Sequence, residues 1–169
     1  MDIYKLNNKR LNSVESVNFE SEKEIQSIVE HNSKELFDLT FVKSEVVCES
    51  FRFDSLCWDE ENNSFVIIEY KNSKSSSVID QGYSYLSTML NNKSDFILEY
   101  IENMDKSLKK ENVDWSQSRV IFVSPSFTEY QKNSVNFRDV PFELWEIQKF
   151  SNGTLGLSQV MSNSKESIK

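Results

Sequence analysis

The feature that most constrains the fold is an apolar run, Phe65-Val66-Ile67-Ile68, that leads directly into the charged residues Glu69 and Lys71. Consecutive apolar residues of this kind are typical of a strand buried on both faces of a sheet. A polar cluster precedes this run, and a second strand-like segment, Phe51–Trp58, precedes the cluster. Two such segments joined by a polar turn predict an antiparallel hairpin.

The register of this hairpin predicts which side chains share a face. A loop of residues 60–63 pairs Asp59 with Ser64, and side chains alternate along each strand. One face then carries four cross-strand pairs, apolar near the turn and charged away from it: Trp58 with Phe65, Leu56 with Ile67, Asp54 with Glu69, and Arg52 with Lys71. The opposite face of the second strand is apolar, since it carries Val66, Ile68 and Tyr70.

The charged end of this face is a candidate metal site. Two opposed carboxylates repel each other, so Asp54 and Glu69 need something to offset that repulsion. Mg²⁺ would do so, because carboxylate oxygens are its natural ligands. Lys71 would then orient or deprotonate a water, or stabilise negative charge on a phosphate. The alternative is an ordinary solvated surface on which Arg52 and Lys71 neutralise the two acids.

Patterns in the rest of the chain predict an α/β fold with a mixed central β-sheet flanked by helices. Residues 1–18 are strand-like, and Ser21 with Glu24 forms a capping box at the start of a helix over residues 21–37. The further predicted elements are strands over 41–49, 119–124, 142–150 and 154–160, helices over 78–90 and around 96–104, and a short helix capped by Ser126. We expect a single domain over residues 1–160, followed by a frayed polar tail over 161–169.

Composition narrows the class of protein. The 169 residues, 38% of them hydrophobic and 27% charged, suit one globular domain. The chain has no apolar run near the ~20 residues of a membrane helix, and its first residues lack a signal-peptide pattern, so we expect a cytoplasmic protein. Cys48 and Cys57 lie in apolar segments and are predicted to be buried, and with His31 as the single histidine the sequence argues against a zinc site.

These residues carry a resemblance to a known family. Asp54 followed by Ile68-Glu69-Tyr70-Lys71 resembles the D…(D/E)-x-K signature of the PD-(D/E)XK nuclease superfamily, which has the restriction-endonuclease-like fold. Gln81 and Tyr85, which share one helix face, resemble the Q-x-x-x-Y element of RecB-type nucleases in that superfamily. The likeness covers most of residues 20–150.

The resemblance implies roles for the site residues. Asp54 and Glu69 would bind Mg²⁺ or Mn²⁺ with help from the Tyr70 carbonyl, and Lys71 would act on the water. The remaining candidates are Gln81, Tyr85 and Arg52 for the phosphate or substrate, and Glu24, which resembles an acidic residue that several members contribute. Glu24 is also explained as the third residue of the capping box. Gly82, a poor helix residue, indicates close packing of its helix on the sheet.

We therefore expect a metal-dependent nuclease that acts on nucleic acid, DNA rather than RNA, in DNA repair or defence. The alternative is a catalytically inactive module of the same fold that binds nucleic acid or a protein partner. The net charge of -8 favours the alternative, because phosphate binding depends on Lys and Arg. The cations available for phosphate are Lys71, Lys74 with the serines 75–77, and the cluster Lys106, Lys109 and Lys110. A homodimer suits the cutting of two strands, although no residue requires it.

Overall fold

A computed structural model describes residues 1–72 and 78–167. The strands in chain order are β1 (Ile3–Asn7), β2 (Arg10–Val14), β3 (Ser16–Val17), β4 (Thr40–Cys48), β5 (Phe51–Asp59), β6 (Ser64–Tyr70), β7 (Arg119–Ser124), β8 (Phe142–Phe150) and β9 (Leu155–Gln159). The helices are α1 (Glu22–His31), α2 (Ser33–Phe37), α3 (Val78–Asn91), α4 (Lys93–Met104) and α5 (Glu129–Ser134), with single 3₁₀ turns at Lys110–Asn112 and Trp115–Gln117.

The central sheet is mixed, as predicted. Its strands follow the order β3-β8-β7-β6-β5-β4, with β9 added to β8. The pairs β4–β5 and β5–β6 are antiparallel, whereas β6–β7 and β7–β8 are parallel. One apolar cluster packs α3 and α4 on one face of the sheet, and a second packs α1 and α2 on the other. The α/β class and the flanking helices are therefore confirmed.

The strand β6 lies at the centre of both clusters. All of its residues are buried. Phe65 and Ile67 face α3 and α4, while Ile68 and Tyr70 face α1. The apolar run in the sequence thus forms a doubly covered strand, and the parallel neighbour β7 explains why its polarity does not alternate.

The predicted hairpin register is right near the turn and wrong beyond it. Trp58 pairs with Phe65, Leu56 with Ile67, and Asp59 with Ser64, but pairing ends at Ser55 with Ile68. The expected pairs of Asp54 with Glu69 and of Arg52 with Lys71 are absent from the described ladder.

The physical reason is a break in side-chain alternation along β5. Phe53 packs in the same cluster as Leu56, although strict alternation places them on opposite faces. Across from this break, Glu45 has a left-handed backbone conformation with φ 54°, which is costly for a residue with a Cβ. Such irregularities re-aim side chains next to functional sites.

Three predicted boundaries differ from the structure. The first helix divides at Asn32, whose side chain donates to the Ile28 carbonyl and competes with the helical backbone. The short helix α5 is capped by Thr128 in a capping box with Gln131, not by Ser126. The tail is less frayed than predicted, because Ser162 donates to Asn136 and the Arg138 amide donates to the Glu166 carbonyl.

The first strands form a two-stranded ribbon outside the central sheet. Ile3 pairs with Val14 and Asn7 with Arg10. The turn between them consists of Asn8 and Lys9, both with positive φ, 45° and 67°. That conformation is the type I′ hairpin turn, whose twist matches that of the strands it joins. The strand-like leader in the sequence is therefore a defined hairpin.

None of the described helices is long and apolar enough to cross a membrane.

The helix α3 approaches the sheet at Gly82, as the sequence indicated. A Cβ built on Gly82 lies 2.6 Å from the nearest ring carbon of Phe142, which is buried on β8. The missing side chain lets α3 sit directly on this ring, and the neighbouring residue, Gln81, is thereby placed over the end of β6.

We predict that Gly82→Ala destabilises the protein by about 1–3 kcal/mol, because the Phe142 ring must move in a packed core. Helix propensity alone predicts the opposite, a gain of up to about 1 kcal/mol. Urea unfolding of Gly82→Ala, Phe142→Leu and the double variant measures the coupling. A Gly82→Ala protein that is more stable than wild type contradicts the close contact.

Candidate active site

Asp54 takes the place of a main-chain partner where β5 leaves β6. Its Oδ2 accepts a hydrogen bond from the Tyr70 amide at 3.1 Å. The side chain therefore lies beside the end of β6 instead of standing on one face of the hairpin. Burial raises the pKa of Asp54 above its usual value, against the Tyr70 hydrogen bond and the nearby charge of Lys71, which lower it.

Glu69 is the second carboxylate of the site and is 4% exposed. Its Oε1 accepts from Lys71 Nζ at 3.0 Å and from Gln81 Nε2 at 2.8 Å. Its Oε2 is buried and meets no hydrogen-bond partner among the described residues. Burial and the repulsion of Asp54 together raise the pKa of Glu69 to about 7, with Lys71 acting in the opposite direction.

Gln81 and Tyr85 both belong to the Glu69 environment. Gln81 Nε2 bridges Glu69 and the Tyr85 hydroxyl, which is 2.7 Å away. Tyr85 itself is buried against the rings of Phe51 and Phe53, and burial raises the pKa of its phenol. The pair holds the Glu69 carboxylate in place, and direct contact of either residue with substrate stays a prediction.

Behind Asp54, on the α1 face, a polar network fixes the strand that carries it. Buried Gln26 donates to the Asp54 carbonyl at 3.0 Å and to Glu30 at 2.8 Å. Glu30 accepts from Ser55 at 2.6 Å, and Ser55 also bonds to the Tyr70 hydroxyl at 2.9 Å. The phenol of Tyr70 thus points away from the site. Its main chain joins Glu69 to Lys71, and its carbonyl as a metal ligand stays a prediction.

Two predicted residues are engaged elsewhere. The Glu24 carboxylate accepts a hydrogen bond from the Glu20 amide at 2.6 Å, just before the start of α1, and forms an ion pair with Lys149. Arg52 forms an ion pair with Glu45, and its side chain is 62% exposed. The structure does not bring either side chain to Asp54 and Glu69. Lys74 and the serines 75–77 lie outside the described residues.

Glu22 is a further acidic residue near the site, and it is absent from the residues predicted from the sequence. Its Oε1 accepts from the amide of Asn72, the residue after Lys71, at 3.0 Å, and its charge contributes to raising the Asp54 pKa. The available signal was helical spacing, because Glu22, Gln26 and Glu30 recur every four residues and therefore share one face of α1. Glu24 lies outside that series.

An open cavity of about 410 Å³ lies at Asn72, the residue after Lys71, but neither the two acids nor Lys71 line it. The strand β8 pairs with β7 as far as Glu146 and with β3 from Lys149 onwards, both on the side opposite β9. Residues 147–148 are left without a neighbouring strand on that side. The cavity opens there, lined by Asn72 and Pro125 among others. The buried Oε1 of Gln148, which also lines it, meets no partner among the described residues.

The donor set suits Mg²⁺ or Mn²⁺. The described ranges contain no group of three or more His, Cys, Asp and Glu side chains placed to hold a metal. Mg²⁺, however, is commonly held by one or two carboxylates together with substrate phosphates and waters. Asp54 and Glu69 supply two hard oxygen donors, and the partnerless Glu69 Oε2 fits a ligand position.

Comparison with known proteins gave one sequence relative and several remote structural likenesses. No model of a known protein family matches the chain. The chain is 44% identical over 165 residues to an uncharacterized protein of Haemophilus influenzae, and the match covers 98% of this chain and 54% of that protein. The chain therefore spans about half the length of that relative.

Among solved structures, EndoMS in complex with double-stranded DNA has a TM-score of 0.44 at 18% identity, covering 78% of this chain and 47% of EndoMS. A repair endonuclease from Pyrococcus abyssi has a TM-score of 0.40 at 17% identity, covering 83% and 63%. SfsA from Pyrococcus furiosus, in complex with Ca²⁺, has a TM-score of 0.40 at 13% identity, covering 81% and 61%. Likeness at this level carries no argument about activity.

We predict that Glu69 makes the metal-free protein less stable as the pH rises. Its folded pKa of about 7 lies above the ordinary value of 4.5, so the unfolded chain ionises first. Stability is therefore lost between those two values, on the order of 3 kcal/mol in all. In chelator, Glu69→Gln is expected to exceed wild type in stability at pH 8 and to match it near pH 4.5.

Urea unfolding across this pH range measures the difference. Glu99→Gln is the matched control, because Glu99 forms a similar ion pair with Lys43, 2.8 Å, away from the site. If wild type and Glu69→Gln lose stability in parallel between the two pH values, the raised pKa of Glu69 is wrong.

Proposed function

We propose that this chain is a Mg²⁺- or Mn²⁺-dependent nuclease that hydrolyses phosphodiester bonds of DNA. The observation that carries the proposal is the pair of half-buried Asp54 and buried Glu69, with the ammonium of Lys71 beside Glu69 and a Glu69 oxygen that has no hydrogen-bond partner among the described residues. Two neighbouring acids whose pKa values are raised by burial lower the stability of the fold, and such perturbed groups concentrate at functional sites. The resemblance to the PD-(D/E)XK superfamily supports the same function.

The side chains divide the work between binding and positioning. Asp54 and Glu69 would hold the cation, which when bound polarises a phosphate oxygen and lowers the pKa of a coordinated water. Lys71, whose side chain is 14% exposed, orients the water or neutralises charge that develops on the phosphate. Gln81 and Tyr85 keep Glu69 in a fixed orientation, and Gln26 holds the Asp54 main chain.

We predict that the wild-type protein cleaves a nucleic acid in the presence of Mg²⁺ or Mn²⁺ and that chelator abolishes cleavage. Single-stranded, duplex and branched forms of DNA and RNA form the substrate panel. Asp54→Asn and Lys71→Ala are each expected to lower the rate about 100-fold or more, because they remove a metal ligand and a group that acts on the reacting atoms.

Lys43→Ala is the matched control for Lys71→Ala, because both lysines pair with a glutamate at similar distances, 2.8 and 3.0 Å. It should cleave like wild type. Absence of cleavage on every substrate by folded wild-type protein contradicts the nuclease, and equal activity of Lys71→Ala and Lys43→Ala removes Lys71 from the site.

The second candidate function is a non-catalytic module that binds nucleic acid or a protein. The net charge of -8 favours it, because a nuclease needs cations along the phosphate path. Lys71, which pairs with Glu69, is the single cation among the described residues that forms an ion pair with either acid.

We predict that millimolar Mg²⁺ or Mn²⁺ raises the melting temperature of wild type and leaves those of Asp54→Asn and Glu69→Gln unchanged. A ligand that binds only the folded state stabilises it by about 2.7 kcal/mol at one hundred times its Kd. Thermal unfolding with and without metal measures the shift. A metal-dependent shift without cleavage supports the non-catalytic module, and equal shifts in all three proteins contradict the site.

A further inference from the structure

The ribbon of β1 and β2 has two chemically different faces. Its register pairs Lys5 with Asn12, Asn7 with Arg10, and Leu6 with Leu11. Because side chains alternate, one face carries basic and amide groups and the other carries apolar groups. The polar face carries Lys5, Asn7, Arg10 and Asn12, with the apolar pair Ile3 and Val14 at its base. The apolar face carries Tyr4, Leu6 and Leu11, with Ser13 opposite Tyr4.

The polar face is exposed and positively charged. All four of its polar residues are exposed, and neither Lys5 nor Arg10 forms an ion pair within the part of the chain described. Several cations of the body, in contrast, are paired with acids, among them Lys43, Arg119 and Lys149. Residues 1–14 carry a net charge of +2, whereas the rest of the chain carries -10.

We propose that this ribbon binds duplex nucleic acid by inserting its Lys5, Asn7, Arg10 and Asn12 face into the major groove. The major groove of B-DNA, about 12 Å wide, admits a two-stranded β-ribbon. Lys and Arg bind phosphates or the acceptor atoms of guanine, and Asn pairs with the edge of adenine. The proposal deepens the proposed function, because it names the form of substrate.

The ribbon leaves the body at the end of the sheet that carries the site. The Ser151 amide donates to the Glu15 carbonyl at 2.9 Å, which ties the base of the ribbon to the far end of β8. Five residues before Ser151, Glu146 pairs with Ser124 at the end of β7, next to the end of β6. Strand geometry puts the ribbon base roughly 15–20 Å from Lys71, which is less than the length of one turn of duplex, about 34 Å.

The position also reconciles an acidic chain with an anionic substrate. A negative body repels phosphate over about a Debye length of 8–10 Å. An arm that projects its own cations beyond the body supplies the attractive contacts, while the body contributes the two acids that need a cation. The apolar face of the same ribbon is also exposed, and a second copy of the chain could bind there. The experiment distinguishes duplex binding from such a dimer contact.

Duplex affinity of the full chain is measured by fluorescence anisotropy of a labelled duplex in chelator, at a series of salt concentrations. Lys5→Gln with Arg10→Gln is expected to weaken binding about tenfold or more and to lower the salt slope by about two. The matched control, Lys34→Gln with Lys165→Gln, changes the net charge equally at two exposed lysines and should leave both quantities near wild type.

Equal affinity and slope in the two double variants overturn the inference, as does an affinity loss that is as large for a single strand as for the duplex. Leu6→Gln with Leu11→Gln tests the other face. If it alone weakens binding, and sedimentation shows that it converts a dimer to a monomer, the ribbon is a dimer contact and the inference is wrong.

The outcome is independent of catalysis. Cleavage by wild type is scored separately with metal on the full substrate panel. Duplex binding that depends on the ribbon, without cleavage, supports the ribbon as a duplex-binding element and contradicts the proposed nuclease activity. Cleavage by wild type, together with equal duplex affinity in the two double variants, supports the nuclease and contradicts the role of the ribbon.

Discussion

The hydrogen bond from the Tyr70 amide to the Asp54 carboxylate determines the geometry of the site. At this point β5 leaves β6, and the Tyr70 amide would otherwise be a buried donor without a ladder partner, which is costly. The carboxylate satisfies it in a charge-assisted bond. The same contact draws Asp54 beside Glu69, and Gln26 holds the Asp54 carbonyl from the other face of the sheet. The separation of β5 from β6 and the approach of Asp54 to Glu69 therefore depend on the same hydrogen bond.

The electrostatics of the pair set stability against function. Glu69 lies between an attractive Lys71 and a repulsive Asp54, in a position that water scarcely reaches. A core built for stability alone would place apolar groups there, because replacing buried charges with packed hydrophobic residues is often neutral or favourable. The residues of β6 from Phe65 to Ile68 follow that rule, and Glu69 near the end of the strand departs from it. Local violations of this kind mark places where the sequence serves something other than folding.

Much of the fold follows from patterns that act over a few residues. The buried run of β6, the turn at residues 59–64 and the register as far as Leu56 depend on alternation and turn chemistry alone. The extrapolation failed at Asp54, because the irregularity at Glu45 on a neighbouring strand is invisible in a single hairpin. A residue beyond such a break cannot be placed by counting.

The acids of α1 show a second limit. The spacing of Gln81 and Tyr85 was enough to place them together on one face of a helix, but the hydrogen bond from Gln81 to Glu69 follows only from the close contact of α3 with the sheet. Glu24 and Glu22 differ by two positions, which is more than half a turn of helix. The choice between them depended on which face of α1 packs on the sheet. The predicted capping box forms only in part, because Ser21 accepts from the Glu24 amide while the Glu24 carboxylate accepts from Glu20 instead of Ser21. The Ser21 cap fixes where the helix begins but not how it is rotated.

The two cysteines make the strands of the site open to observation in the natural chain. Cys48 and Cys57 are buried on β4 and β5, and burial raises the pKa of the Cys57 thiol to about 12. Since only the thiolate reacts with alkylating reagents, Cys57 is protected while β5 is in place. Its rate of modification then times the local opening of the strand that carries Asp54. Cys57 is therefore a built-in probe of local opening at the candidate site.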